Sequence, residues 1–597
     1  MSASSRFFLS LCSEKRIFAT DTDAVRCGAI SKTFAQEGSN RPFPVQKCTA
    51  SGRPVTNVRR SAQLRGCYNR LVQSNGRIET VLDRRLLAGQ RSAAALLPGN
   101  DERSRGVTGG GEALPFPDFG IPGPVANSAK VQSIANFIKT DFANVDEYGV
   151  DLTSDFKDLA TIRDIMYSIS QEVATAGEAI GTAFAALATS TGPSIDTVFG
   201  TATSAITSME ALLSQSFTDE FATLEAIIGT YVTTEFRDSF GEMGIALANL
   251  RLALGRLKPG IEQAKVASKN SATIAPAIIN KYVTPKMIQD VQDTLQRTRS
   301  NIQVITYTVT NTLGKLEIAD DFIIEITDKV ATDITEVETE FENYSTTTLT
   351  AVGESSDGAA AALQAGYATE TDAIALIQSE LDASTDFTDN FAPELTKVDD
   401  VLGTQALAAL TLDITDAVTA YLDLVGAVDD DVSAFFSDEG CQPVLALVHV
   451  LIDNGYYATF CFEKYSPFAF NMFADFVDLV GDCYANELVK FDYLYEAVDP
   501  LVQLILFDVE DLAEALTTCV GYPDSSHCFS MIAPLYDKLF ALTTAKRDYL
   551  KELFMHETDS SVQRFSACYH AQKFSIRQIM HELLANIDAC ETDGSMA

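Results

Sequence analysis

The chain has 597 residues, a formal net charge of -38 and no tryptophan. A chain this acidic repels nucleic acid and anionic lipid surfaces. Its length exceeds one ordinary core, so several parts are expected.

Charge divides the chain. Residues 1–110 carry 18 Lys+Arg against 8 Asp+Glu, a net of +10, so the remainder carries -48. The leader, 1–110, is rich in Arg, Ser, Gly and Gln and lacks a helical or strand period. It is expected to be disordered or absent from the mature protein. Phe7–Cys12 is too short for a secretory h-region, an Arg-rich composition also resembles a transit peptide, and the leader's origin stays open. Its cysteines, Cys12, Cys27, Cys48 and Cys67, are expected to be incidental. A Gly/Pro linker follows over 111–126.

From 127 to 440 the apolar positions recur every three or four residues. Leu152, Phe156, Leu159, Ile162, Met166, Ile169 and Val173 form one stripe, and Met209 through Phe236 another. This period marks amphipathic helices. Breakers are read at Thr191–Ser194, Lys258–Gly260, Pro276, Pro285, Gly353–Gly358 and Pro393. Segments of this length are unstable alone and must pack on one another. The expected fold is therefore all-α, with long antiparallel helices in an elongated bundle or coiled-coil stalk. Thr-rich patches such as Thr306–Thr312 weaken helix propensity and leave strands open there. No apolar run approaches the roughly 20 residues of a bilayer span, so no membrane span is expected.

The remaining part, 441–597, contains seven cysteines and all five histidines. It reads as a separate cysteine-rich helical domain. Cys461, Cys483, Cys519, Cys528, Cys568 and Cys590 are spaced almost as a palindrome. A chain that runs out and back brings equal distances from its turn side by side. Of the many pairings six cysteines admit, the simplest is a helical hairpin with nested links: Cys461–Cys590, Cys483–Cys568 and Cys519–Cys528. The turn is placed at Val520–His527, rich in Gly, Pro, Asp and Ser. Helix starts are expected at Ser466-Pro467 and Asp499-Pro500, with breaks near Pro534 and Glu557–Ser561. Such a framework belongs to an oxidising, extracellular compartment. Cys441 is left over, as an unpaired thiol, an interchain link or a partner of a leader cysteine.

Cys461-Phe462 with Tyr465 and Pro467, then Cys483, Cys519, Cys528-Phe529, Cys568 and Cys590, resembles the tsetse EP-like domain of insect secreted proteins over about 459–592. The resemblance implies an insect extracellular protein of gut lumen or epithelial secretions, with no enzymatic activity. The Glu-Pro tail of the founding member is missing here.

No nucleophile elbow, P-loop, zincin motif or C-x-x-C occurs. No catalytic residue, cofactor or metal site is expected. His527 beside Cys528 is poor metal-site material, and Asp429-Asp430-Asp431 reads as a solvated charge run. Asn343-Tyr344-Ser345 is a glycosylation sequon, so Asn343 is a candidate modification site. The expected function is non-catalytic, through a protein partner or an extracellular surface, with homo-oligomers possible through the helices or Cys441. The alternative is a helical carrier of a lipid or other apolar ligand. Phe468, Phe470, Phe473 and Phe476 would supply its lining.

Overall fold

The computed structural model describes residues 118–190 and 194–594. The leader and residues 111–117 of the linker lie outside the described residues. Those described are helical apart from turns and one isolated bridge, Asp118–Ile121.

Five helices come first: α1 (Ser128–Ala143), α2 (Lys157–Thr189), α3 (Ile195–Gln215), α4 (Thr218–Ile228) and α5 (Tyr231–Ala267). Leu159, Ile162, Met166, Ile169 and Val173 are all fully buried on α2, as their period predicts. The stripe from Met209 to Phe236 is cut into three helices rather than one. Gly229 adopts φ 71 between α4 and α5, a positive-φ conformation that glycine tolerates and that ends the helix. After the short α6 (Pro276–Tyr282) comes α7 (Pro285–Leu376), a single helix of 92 residues.

α7 is shared by two bundles. Its first half packs on α1 and α5: Arg299 meets Asp141 at 2.6 Å, and Asp320 accepts from the backbone amides of Thr153 and Ser154 that precede α2. Its second half packs on the helices that follow. These are α8 (Gln378–Leu381), a π turn at Phe387–Phe391, α9 (Ala392–Leu402), α10 (Thr404–Phe435), a second π turn at Phe436–Gly440, α11 (Cys441–Asp453), α12 (Ala458–Leu506), α13 (Leu512–Val520) and α14 (Ser525–Asp593). The division expected at residue 440 is not where the packing divides. The cysteine hairpin α12–α14 shares a core with α7 and α10.

Two hairpins lie side by side and point the same way. In the first, α7 turns back into α10; in the second, α12 turns back into α14. Phe322 stacks edge-on to Phe462 and Tyr344 packs on Tyr484, each pair 140 residues apart. Across the other contact, Lys397–Asp537, Lys551–Asp413, Lys573–Asp431 and Arg577–Glu439 are separated by 138 to 142 residues. A constant separation means that the paired helices run parallel. α7 therefore lies parallel to α12, and α10 parallel to α14, while each hairpin is antiparallel within itself.

Several expected breaks are absent. Pro259 lies inside α5, Pro467 and Pro500 inside α12, and Pro534 inside α14. Gly353–Gly358 and Glu557–Ser561 are continuous helix. A proline removes one helical hydrogen bond and costs about 3 kcal/mol, but the core stripes on both sides hold these helices in line. Met472, Phe473 and Phe476 follow Pro467, and Val502 and Ile505 follow Pro500, all buried. Pro276, Pro285 and Pro393 do sit in the first turn of their helices, where a missing N–H is harmless. The Thr-rich patches are helical too. Thr306, Thr308 and Thr310 return their hydroxyls to carbonyls four residues back, which satisfies the side chain without leaving the helix.

Candidate functional site: a disulfide ladder between two seams

Three disulfides cross the second hairpin as nested rungs. Cys461–Cys590 closes its base with a Cα–Cα distance of 5.8 Å, Cys483–Cys568 its middle at 5.9 Å, and Cys519–Cys528 its tip at 5.3 Å. Each distance lies in the range a disulfide requires. The periodicity of α12 and α14 turns Cys461, Cys483 and Cys590 inward, and all three are buried. At the tip, Asp524 caps α14 by accepting from the His527 amide at 3.1 Å, which fixes the turn that brings Cys528 back to Cys519.

Between the middle rung and the tip lies a polar layer. Glu487 is buried on α12 and accepts from the Arg564 guanidinium of α14 at 2.9 Å. Arg564 also reaches Glu557 at 2.6 Å and the Ser561 hydroxyl at 2.7 Å. The hydrogen bond with Glu487 is the main cause that holds Arg564 above its ordinary pKa. Around this layer pack Tyr344 of α7, Tyr421 of α10, and Tyr484 and Phe491 of α12. The Tyr344 and Tyr421 hydroxyls share a hydrogen bond, and burial pushes Tyr344 up to about 12. All four helices of the two hairpins meet at this level.

The two parallel contacts differ in charge. From α9 through α10 to the second π turn, against α14, acids face bases. Asp431 accepts from Lys573 at 2.6 Å and from the Tyr569 hydroxyl at 2.5 Å. Glu439 is held by the Arg577 fork, Nε at 2.6 Å. Asp413–Lys551 and Lys397–Asp537 continue the row. Burial pushes Asp431 up, but the Lys573 and Tyr569 hydrogen bonds outweigh it and leave the carboxyl below its usual range. The Arg577 hydrogen bond lowers Glu439 in the same sense.

Along α7 and α12, acids face acids. Asp333, Glu336 and Glu340 lie on α7, with Asp475, Asp478 and Asp482 opposite. Asp333 is fully buried; one oxygen pairs with Lys329 and Oδ2 has no hydrogen-bond partner. Glu340 Oε2 is likewise buried and unpartnered, packed so closely on Gly481 that a Cβ there would collide with it. Asp429 of α10 adds a third such oxygen, Oδ1.

The remaining candidate residues fall as follows. Asp429-Asp430-Asp431 is split between the two contacts rather than forming one solvated run. Cys528 is in the tip disulfide, and among the described residues no group of three or more His, Cys, Asp or Glu is placed to hold a metal. Cys441 is buried, its thiol donating to the Ser437 carbonyl oxygen at 3.2 Å. Asn343 is exposed on α7. Phe473 and Phe476 are fully buried against Phe435 and Phe436, while Phe468 is 63% exposed. Two grooves on α3–α5 lie elsewhere, and both open to solvent. One stretch within Phe387–Asp453 is long and apolar enough in composition to cross a bilayer, unlike the expectation from sequence. The core stripe of α10, with Leu407, Ile414, Val418 and Tyr421 buried, accounts for that composition.

The cross-contacts were out of reach of sequence reasoning. Their only signal is the pair of acidic rows, Asp333-Glu336-Glu340 and Asp475-Asp478-Asp482, each at helical spacing. Compared with protein-family models, with curated proteins and with solved structures, the chain matches none.

Proposed function

We propose that this is a secreted, non-catalytic helical protein that acts by contact with a protein partner in an extracellular fluid. In this reading its cysteine hairpin is a tsetse EP-like domain and its source an insect secretion such as gut lumen. The ladder is the observation that carries the reading. Three rungs across one hairpin suit an oxidising compartment and are rare where thiols are kept reduced. The outer face of α12 supports the contact role. Phe460, Phe468 and Tyr493 are exposed, and at 100° per residue their positions cluster on one side of the helix. Exposed aromatics on one face mark protein interaction surfaces.

Peptide mapping of the non-reduced, naturally produced protein tests the reading. The expected result is secreted material with linked peptides 461/590, 483/568 and 519/528. Free thiols throughout, or retention of the protein inside the cell, overturns it.

A further inference from the structure

The acid-on-acid contact between α7 and α12 is unusual for its burial. Solvated carboxylates commonly repel weakly and cost little. Here Asp333 is fully enclosed, Glu340 is pressed against the Gly481 backbone, and Asp429 of α10 lies near Glu338 of α7 and Tyr484 of α12, the tyrosine that Glu340 also neighbours. Each of the three presents a buried oxygen with no donor. An ionised oxygen in such a place has lost water without gaining a partner, even where, as in Asp333, the other oxygen keeps Lys329, whereas a protonated one has no charge to desolvate and can itself donate. The side chains that face this group are mostly acids. On α7 they are Glu336, Glu338 and the one cation Lys329; on α12, Asp475, Asp478, Asp482 and Tyr484; on α10, Asp430. From α14, Lys573, Arg577 and His570 are directed to Asp431 and Glu439 instead.

We propose that the α7–α12 contact is a proton-operated clasp, in which protonation of Asp333, Glu340 and Asp429 draws the two hairpins together and ionisation loosens them. The α10–α14 row of paired charges keeps the hairpins joined when the clasp is loose, so opening is confined to one side. The local ionisation pattern agrees. Burial, then Glu338 and Asp430, push Asp429 up to about 6, and burial followed by like charges raises Glu340. Burial also raises Asp333, against the pull of Lys329. A carboxyl raised in the folded state opposes folding when ionised. That opposition disappears as pH falls through the raised value. The clasp therefore closes as pH falls through these raised values, about 6 for Asp429, and loosens above them. This inference goes beyond the functional reading above and stands without it.

Hydrogen–deuterium exchange on the full chain tests it, with rates corrected for the intrinsic pH dependence of exchange. Protection of peptides covering 330–342 and 473–484 should rise about tenfold or more between pH 7.5 and 5.5, since each pKa unit corresponds to a factor of ten. Peptides covering 431–440 and 568–578, on the paired row, should not gain protection. The D333N/E340Q/D429N variant should be protected at both pH values. Equal protection of the wild-type clasp at both pH values overturns the proposal, as does a variant that keeps the wild-type pH dependence. Loss of helical circular dichroism by the variant at pH 7.5 also overturns it, because neutral isosteres should relieve the contact rather than break it. Addition of calcium at pH 7.5 separates a proton from a divalent cation. Closure by calcium without acid would assign the clasp to the metal and overturn the proton mechanism.

Discussion

The two parallel contacts share one geometry and opposite chemistry. Both join helices offset by about 140 residues, both run side by side for several turns, and both carry charge at regular intervals. Across the contact with α14, Asp413, Asp431, Glu439 and Asp537 each pair with a base. Between α7 and α12 Lys329 is the one cation facing six acids. Helix geometry is therefore not what decides how such a contact responds to pH. The partner present at each position decides it. The paired row contributes most at neutral pH and fades as its carboxylates are protonated. The acidic row is least favourable at neutral pH and improves with acid. A molecule built from both can change one side without losing the other.

The largest expected effect comes from separating the two contacts mechanically. The base rung closes a loop of 129 residues. By chain entropy its loss through C461S with C590S costs about 4–5 kcal/mol. A lower denaturant midpoint is expected, and an unchanged one would show that the contacts alone hold the hairpin. Next comes Arg564→Ala, which leaves buried Glu487 without its guanidinium. Removal of one member of such a buried pair costs about 3 kcal/mol, measured by chemical unfolding at pH 7. A cost under 1 kcal/mol would mean that water replaces the guanidinium.

The paired row and the acidic row can then be set against each other directly. Lys573→Ala should destabilise by about 1–2 kcal/mol at pH 7. Asp431 is lowered in the folded state, so its stabilisation exists above the unfolded carboxyl range and is lost as pH falls through the folded value. The cost of Lys573→Ala should accordingly shrink toward pH 3. Asp429→Asn should do the reverse and least. A gain of about 0.5–1 kcal/mol is expected at pH 7.5, where Asp429 is ionised, and none at pH 4.5, below its raised value of about 6. Parallel pH profiles for the two variants would erase the distinction between the contacts.

Much of this architecture is legible in the chain. The 3.6-residue stripe of α2 predicts its buried side residue by residue, and the mirrored cysteines point to a hairpin with its tip between Cys519 and Cys528. What sequence misreads is punctuation. Pro467, Pro500 and Pro534 carry local stop signals, yet each has core residues on both sides, and burial of those stripes outweighs one missing hydrogen bond. Gly229 was legible as a glycine but not as the one that divides α4 from α5, since that depends on its φ. The contacts between hairpins are hidden for another reason. Their register is set by chain reversals at 377–391 and 507–524, far in sequence from Asp333 or Asp475, so no local window contains both rows. Asp431 illustrates the result. In sequence it is the third member of an acidic run; in the fold it belongs to a base on α14, while Asp429, two residues earlier, faces the opposite contact.

The nesting of the rungs has a practical consequence for a chain exposed to peptidases. A single scission of the main chain anywhere between Cys461 and Cys590 leaves both pieces tethered through sulfur, because each flank still carries one end of the base rung. A nicked molecule would travel as one species until a reductant is added. Where such scission occurs in nature, a non-reducing gel alone would miss it.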